Sequence, residues 1–291
     1  MSRFASFSAI IKSYYVNNML FYFDKLKIKA RDNAHIAYCI SHGYEDGYLY
    51  YGKRKLLLRK NIRQAFFWVL HAARLGNTDA MIYLAHFYSK GSGCKKNLIE
   101  ALKWEKKAYR CGNDCAALNL GCSYNLLHKY RLAYQWFQKA YIHDIDASYQ
   151  IGKCYLFGKG VKKNLNVALH YFYEVIRNNT FPIDKIHAMK LIVDIRCNFS
   201  PTTDPVRIRL MPISIIKKRV EIYLDELKRN PNNEAVYYCL GQLYYYHHLY
   251  NEALPFLRKC KQLSFCLEDV VQWIKNCEGA SGDGEGRGVG F

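Results

Sequence analysis

Residues 88–108 read YSKGSGCKKNLIEALKWEKKA, and residues 155–175 repeat the pattern as YLFGKGVKKNLNVALHYFYEV at an offset of 67 residues. Each copy contains an alanine, and an aromatic residue stands three positions after that alanine. These alanines are Ala65, Ala101, Ala133 and Ala168, at spacings of 36, 32 and 35 residues. Self-similarity at such a period indicates stacked helical hairpins. The sequence therefore predicts an all-α fold, an α-solenoid of helix-turn-helix hairpins.

The glycines between the two helices of a copy raise the alternative of a phosphate-binding loop. The stretch GSGCKK, from Gly91 to Lys96, is followed by Asn97, so the hydroxyl of a Walker loop is missing. A dinucleotide-binding GxGxxG follows a strand, whereas the residues before Gly91 have the apolar spacing of a helix. We interpret the glycines as helix joints, where their backbone freedom is needed.

The copies resemble the Sel1-like repeat family, a relative of the tetratricopeptide repeats. From Ile151 onward one copy has the family's residues in order: an apolar-glycine pair, a tyrosine, a GxG loop and the alanine of the second helix. Asn97 and Asn164 stand in the neighbourhood where the family has aspartate, and the copy around Leu120 lacks the glycine loop. Residues 230–263 are similar to a single tetratricopeptide repeat. The resemblance implies a protein that acts through protein partners.

Composition shifts along the chain predict five segments. Two helices are expected at residues 183–197 and 213–230, around a proline-bearing loop. The last residues are almost half glycine and cannot bury enough surface to fold. The segments are an N-terminal capping helix (1–33), a Sel1-like repeat block (34–180), a helical insertion or hinge (181–232), a tetratricopeptide-like repeat with a C-terminal capping helix (233–278) and a disordered glycine-rich tail (279–291).

The N-terminal stretch is apolar at helical spacing, but Lys12 and the pair Asn17-Asn18 interrupt it. It therefore lacks both the apolar length of a membrane span and the core of a signal peptide, so stable membrane insertion is not expected. A capping helix is the first interpretation. An amphipathic helix that lies on a membrane surface is the alternative, because aromatic residues and a basic cluster share this stretch.

Motifs of catalysis and of metal binding are missing from the sequence. It contains neither H-E-x-x-H nor G-x-S-x-G, and Cys111 and Cys115 have no second pair to complete a zinc site. The eleven cysteines are odd in number and occupy different places in their copies, so reduced thiols are favoured over disulfides. We expect no enzymatic activity, no metal and no cofactor, in a cytoplasmic protein. Its Lys-, Ile-, Asn- and Tyr-rich usage is typical of a low-GC bacterial coding sequence.

The net charge of +19 gathers at the joints between first and second helices. Because equivalent joints of a solenoid share one edge, these residues are expected to form a basic rim that attracts an acidic protein surface or a phosphate backbone. Solvated lysines that only maintain solubility are the alternative. The basic rim consists of Lys53, Arg54, Lys55, Arg59, Lys60, Lys90, Lys95, Lys96, Lys129, Arg131, Lys159, Lys162 and Lys163.

A second predicted surface is the concave face lined by first helices, where exposed aromatic residues would anchor a partner peptide or helix. The repeat register assigns Ile82, His86, Leu118, Cys122, Tyr149, Lys153, Tyr238, Gln242 and Tyr245 to this groove set. Tyrosines at repeat-defining positions, such as Tyr88 and Tyr155, are assigned to the core instead.

Two functions fit these surfaces. The first is a non-enzymatic scaffold, such as an adaptor, a chaperone-like cofactor or an inhibitor of the immunity type, that holds an acidic protein partner or peptide. The second is a solenoid that binds RNA or single-stranded nucleic acid, with lysines on phosphates and tyrosines stacked on bases. The sequence shows no repeated pair of base-reading residues, so protein binding is favoured.

Overall fold

The computed structural model describes residues 23–51, 54–178, 182–198, 211–263 and 268–282. Within them lie fourteen helices and one pair of short antiparallel strands. Tertiary contacts divide the chain into two units, Met1–His143 and Asp144–Phe291. The unit boundary falls inside the predicted repeat block, and the five predicted segments remain predictions.

The first unit consists of a short helix followed by three helical hairpins. Phe23, Leu26 and Ala30 of the short helix are buried in the core that they share with the first hairpins. The elements are α1 (residues 23–30), α2 (Ala34–Asp46), β1 (Tyr48–Tyr51), β2 (Arg54–Leu57), α3 (Ile62–Arg74), α4 (Thr78–Lys90), α5 (Leu98–Arg110), α6 (Cys115–Leu126) and α7 (Tyr130–Tyr141).

The second unit has a fourth hairpin and five further helices. The two helices expected in the region 181–232 are present, and a hairpin and a last helix follow them. The elements are α8 (Ala147–Phe157), α9 (Leu165–Arg177), α10 (Pro182–Arg196), α11 (Ile213–Arg229), α12 (Glu234–Tyr246), α13 (Tyr250–Gln262) and α14 (Glu268–Gly282). The prediction of an all-α fold built from helix-turn-helix hairpins is confirmed.

Two parts of the chain differ from the helical expectation. Strands β1 and β2 pair between the helices of the first hairpin, with Tyr48 opposite Leu57. The alternating stretch YLYY before a Gly-Lys pair is the local signal for them. Helix α14 extends to Gly282, into the predicted disordered tail, whereas residues 283–291 and 1–22 lie outside the described part of the chain.

The joints of the hairpins are formed by the residues that the sequence singled out. Gly91 and Gly158 end α4 and α8 at φ angles of 78° and 68°, in the left-handed region that favours glycine. The Asn97 side chain accepts hydrogen bonds from the backbone N–H groups of Ile99 and Glu100, both at 3.1 Å. Asn164 caps α9 in the same way. Asparagine thus performs the helix-capping role that the family's aspartate position implies.

Histidine replaces glycine in the joints that lack the glycine loop. His128 and His248 adopt φ angles of 57° and 60°. Their Nδ1 atoms lie 2.8 and 2.9 Å from the hydroxyls of Tyr130 and Tyr250, respectively. The recurring H-x-Y sequence is therefore the signal of these tighter turns, because the tyrosine hydroxyl holds the histidine ring in place.

Glycines inside first helices permit close packing with the paired second helix. A Cβ atom added to Gly121 would lie 2.4 Å from the Phe137 ring, which is buried and cannot move aside. A Cβ atom at the helical Gly279 meets nothing within 4 Å.

Gly121→Ala is therefore expected to lower the free energy of unfolding by about 1 to 3 kcal/mol, because overpacking outweighs the gain in helix propensity. Gly279→Ala, the matched control, should raise it by up to about 1 kcal/mol. Urea denaturation followed by circular dichroism measures both. Equal effects of the two variants would contradict the packing of α6 on α7.

No helix in the described part of the chain has the length and apolarity that a membrane span requires. The ten cysteines of the described residues form no disulfide, and no group of three or more His, Cys, Asp or Glu side chains in this part of the chain could hold a metal ion. Cys111 and Cys115 are exposed, whereas five other thiols are buried.

Candidate functional site

Three residues of the predicted groove set line one cavity in the first unit. Ile82 and His86 lie four residues apart on α4, and Cys122 lies on α6. The cavity has a volume of about 340 Å³. Its lining also includes Tyr83, Glu105 and Leu126. Leu118, the fourth groove residue of this unit, is half-buried and does not line the cavity.

Glu105 is the unusual member of this cavity. Its side chain is 5% exposed and comes from α5, a second helix. The Ser123 hydroxyl donates to Oε1 at 2.9 Å, whereas Oε2 is buried without a hydrogen-bond partner among the described residues. Burial raises the pKa of Glu105 from 4.5 to about 7, although the Ser123 hydrogen bond lowers it in part. We call this site the Glu105 cavity.

Aromatic rings form one wall of the Glu105 cavity. The rings of Tyr83 and His86 are parallel within 6°, with centroids 6.1 Å apart. The Tyr83 hydroxyl donates to the Glu45 carboxylate, which holds this ring in place. The pKa of His86 is lowered, mainly by partial burial and to a smaller extent by the positive charge of Lys90. This shift favours the neutral form of the histidine.

The groove residues of α8 pack on α10 within the second unit. The Tyr149 ring stacks on His187 at a centroid distance of 6.2 Å, and Lys153 Nζ lies 5.0 Å above the Tyr149 ring. The pKa of Tyr149 is raised to about 12, mainly by burial and to a smaller extent by the negative charge of Asp184. Tyr149 and Lys153 are both half-buried, so part of each side chain is accessible to solvent.

The last helix contacts two of the groove residues of α12. Tyr238 and Gln242 are only 5% and 8% exposed. The Trp273 ring of α14 lies 5.4 Å from Tyr238 and 5.5 Å from Tyr245, and Asn276 donates to the Tyr245 hydroxyl at 2.7 Å. Tyr238 therefore belongs to the core that α14 completes, and neither Tyr238 nor Gln242 offers a partner more than a little surface.

Nine residues of the predicted basic rim have exposed side chains. They are Arg59, Lys60, Lys90, Lys95, Lys96, Lys129, Arg131, Lys162 and Lys163. Lys159 is half-buried, with Nζ 5.9 Å from the Phe157 ring. Lys53 lies outside the described residues, and so do the side chains of Arg54 and Lys55, whose backbones belong to β2.

Neighbouring joints contact each other in the first unit. Gly93, between α4 and α5, lies so close to the start of α3 that an added Cβ would be 2.4 Å from the carbonyl oxygen of Ile62. The basic residues that flank the two joints, among them Lys60 and Lys95, therefore lie along the same edge of the unit.

A family model described as the Sel1 repeat matches residues 37–77, 78–113, 116–143 and 145–175. These matches follow the hairpins α2/α3, α4/α5, α6/α7 and α8/α9. The chain contains four Sel1 repeats. The predicted resemblance is confirmed. Sel1 and tetratricopeptide repeats generally mediate protein–protein interactions, and such scaffolds are generally non-catalytic.

The chain is similar to known proteins in sequence and in structure. Over 55 residues it is 42% identical to the chitin synthase regulator SKT5 of Saccharomyces cerevisiae, a match that covers 19% of the chain and 8% of that regulator. The structure of a Sel1 repeat protein from Oxalobacter formigenes superposes with a TM-score of 0.52 at 22% identity, over 79% of this chain and 88% of the other.

A second solved structure is c5321, a protective antigen of uropathogenic Escherichia coli strains with an SLR fold. Its TM-score is 0.51 at 20% identity, and the match covers 89% of this chain and 50% of c5321. The present chain thus spans 8% of the curated relative and half of this antigen. At these identities the solved structures establish the fold alone.

The Sel1-repeat register could have revealed Glu105 from the sequence. The residue four positions after the marker alanine is Val69, Phe137 or Phe172 in the other Sel1 copies, and Leu257 follows Ala253 in the same way. All four of these apolar residues are buried. A carboxylate at this position departs from the apolar pattern of the other copies. This departure is the sequence signal that could have identified Glu105 as a functional residue.

Proposed function

We propose that this Sel1-repeat protein is a non-enzymatic scaffold that binds a protein with an acidic surface. The basic rim of the first unit guides the partner, and the accessible groove residues Ile82, His86 and Cys122 contact it. A bacterial and cytoplasmic setting is part of the same proposal. The Lys-, Ile-, Asn- and Tyr-rich composition supports the first, and the odd number and irregular placement of the cysteines support the second.

One observation carries this proposal. Seven exposed basic residues of the first unit lie at its joints, and none forms an ion pair with another residue in the described ranges. They are Arg59, Lys60, Lys90, Lys95, Lys96, Lys129 and Arg131. In a chain of net charge +19, such a set maintains a positive potential along one edge. A partner with an acidic surface would complement that potential and associate faster because of it.

Affinity purification from the native cell, with and without nuclease, tests this function. Neutralising three rim lysines, Lys60→Gln, Lys95→Gln and Lys96→Gln, is expected to weaken partner binding about tenfold at low salt, and less at high salt. The matched control removes three exposed lysines of the second unit: Lys217→Gln, Lys228→Gln and Lys275→Gln.

A stoichiometric protein that survives nuclease and is lost only in the rim variant supports the scaffold. Recovery that collapses on nuclease treatment would contradict it in favour of nucleic-acid binding. Equal weakening by the rim variant and the control variant would show that total charge, rather than the rim, drives binding.

A further inference from the structure

The Glu105 cavity combines features that stability does not explain. At the equivalent position the other hairpins bury Val69, Phe137, Phe172 or Leu257, and each contributes apolar surface to the core. Glu105 instead buries a carboxyl group with one oxygen lacking a hydrogen-bond partner among the described residues. An unsatisfied buried polar group costs free energy. A residue that breaks a local packing rule at such a cost marks a functional position.

The surroundings of Glu105 define what would bind there. The cavity lies between α4 and α6, two first helices, and its lining provides the apolar side chains of Ile82 and Leu126. Tyr83 and His86 add ring faces. Oε1 already accepts from Ser123, so Oε2 is the acceptor left for a ligand. The chemistry thus combines one anionic acceptor, apolar walls and aromatic rings.

We propose that the Glu105 cavity binds one arginine side chain of the partner protein, with the Glu105 carboxylate as its counter-charge. The proposal rests on the proposed scaffold function. The aliphatic part of the arginine packs against Ile82 and Leu126, and the guanidinium donates to Oε2. Arginine fits better than lysine because its planar, weakly hydrated cation also packs on the rings of Tyr83 and His86.

This occupant is compatible with the basic rim. The rim acts at long range on the whole acidic surface of the partner, whereas the cavity contacts a single projecting side chain. An arginine anchored in a desolvated pocket supplies affinity and register, and the rim supplies the rate of association.

The test uses acetyl-arginine methylamide as the probe and acetyl-citrulline methylamide as its neutral isostere. Methyl resonances of Ile82 and Leu126 in the full chain are followed by NMR during titration with each probe. We expect the arginine probe to shift both resonances and to bind about tenfold more tightly than the citrulline probe. Glu105→Gln should abolish this preference, whereas the control Glu100→Gln on the same helix should retain it.

Equal binding of the two probes, absence of shifts in the wild-type protein, or an unchanged preference in Glu105→Gln would each overturn the arginine site. Because the probes need no partner, this result is separable from the scaffold test. If affinity purification recovers a partner but the probes cause no shifts of the Ile82 and Leu126 resonances, the arginine site is rejected and the scaffold function is retained.

Discussion

Asp194→Ala is expected to lower the free energy of unfolding of the second unit by about 3 to 5 kcal/mol. Asp194 of α10 and Arg219 of α11 form an ion pair at 2.5 Å, and their side chains are 0% and 3% exposed. Removal of the carboxylate leaves the guanidinium buried without its counter-charge. Arg219 Nε already has no hydrogen-bond partner among the described residues. Asp194→Ala would leave a second part of the buried guanidinium without a partner, and each such group lowers the free energy of unfolding.

Hydrogen exchange measured by mass spectrometry locates this effect, because peptides from α10 and α11 should lose protection first. The matched control is Asp225→Ala, which removes the exposed pair between Asp225 and Arg229 at 2.7 Å. It should cost at most about 1 kcal/mol. Replacing both partners of the buried pair, Asp194→Leu with Arg219→Met, should restore most of the stability. A control variant as unstable as Asp194→Ala would contradict the burial of the pair.

Glu105→Gln is expected to stabilise the protein by about 3 kcal/mol above pH 7, and to have little effect below about pH 4.5. Burial raises the pKa of Glu105 from 4.5 to about 7, so between these values the folded protein holds a proton that the unfolded chain has lost. Stability therefore falls as the pH rises through this range in the wild type. Glutamine carries no titrating proton, and its carbonyl oxygen still accepts from Ser123.

Urea denaturation at several pH values measures this difference between wild type and variant. The other titratable groups of the cavity lining, Tyr83, His86 and Cys122, are present in both proteins and cancel in the comparison. Glu100→Gln, at a partly exposed position of the same helix, should change stability by less than about 0.5 kcal/mol at any pH. Parallel stability curves of wild type and Glu105→Gln would show that this carboxyl group is not buried.

The two predictions distinguish two kinds of buried charge. The pair of Asp194 and Arg219 holds α10 against α11, in the region where the repeat pattern stops. Its loss should destabilise that region. Glu105 accepts a hydrogen bond from Ser123 but forms no ion pair within the described residues, so removal of its charge should stabilise the protein. Stability gained at the loss of a binding function is typical of a binding site.

The sequence by itself determined the hairpins of this protein. Helix periodicity, the left-handed glycines Gly91 and Gly158, and the capping residues Asn97 and Asn164 act within a few positions along the chain. A repeating pattern of such signals is therefore sufficient to predict the helices, and the same local logic identified the helices α10 and α11.

Only the tertiary structure decided which surfaces remain accessible. Tyr238 fits the groove register, but Trp273 of α14 covers it. Glu105 is buried, and its hydrogen bond comes from Ser123 of the neighbouring helix α6. Asp194 of α10 meets Arg219 of α11, 25 residues further along the chain. These contacts join helices whose packing is set by the whole unit. The pattern of any one helix does not specify them, because burial depends on what the rest of the fold places against each face.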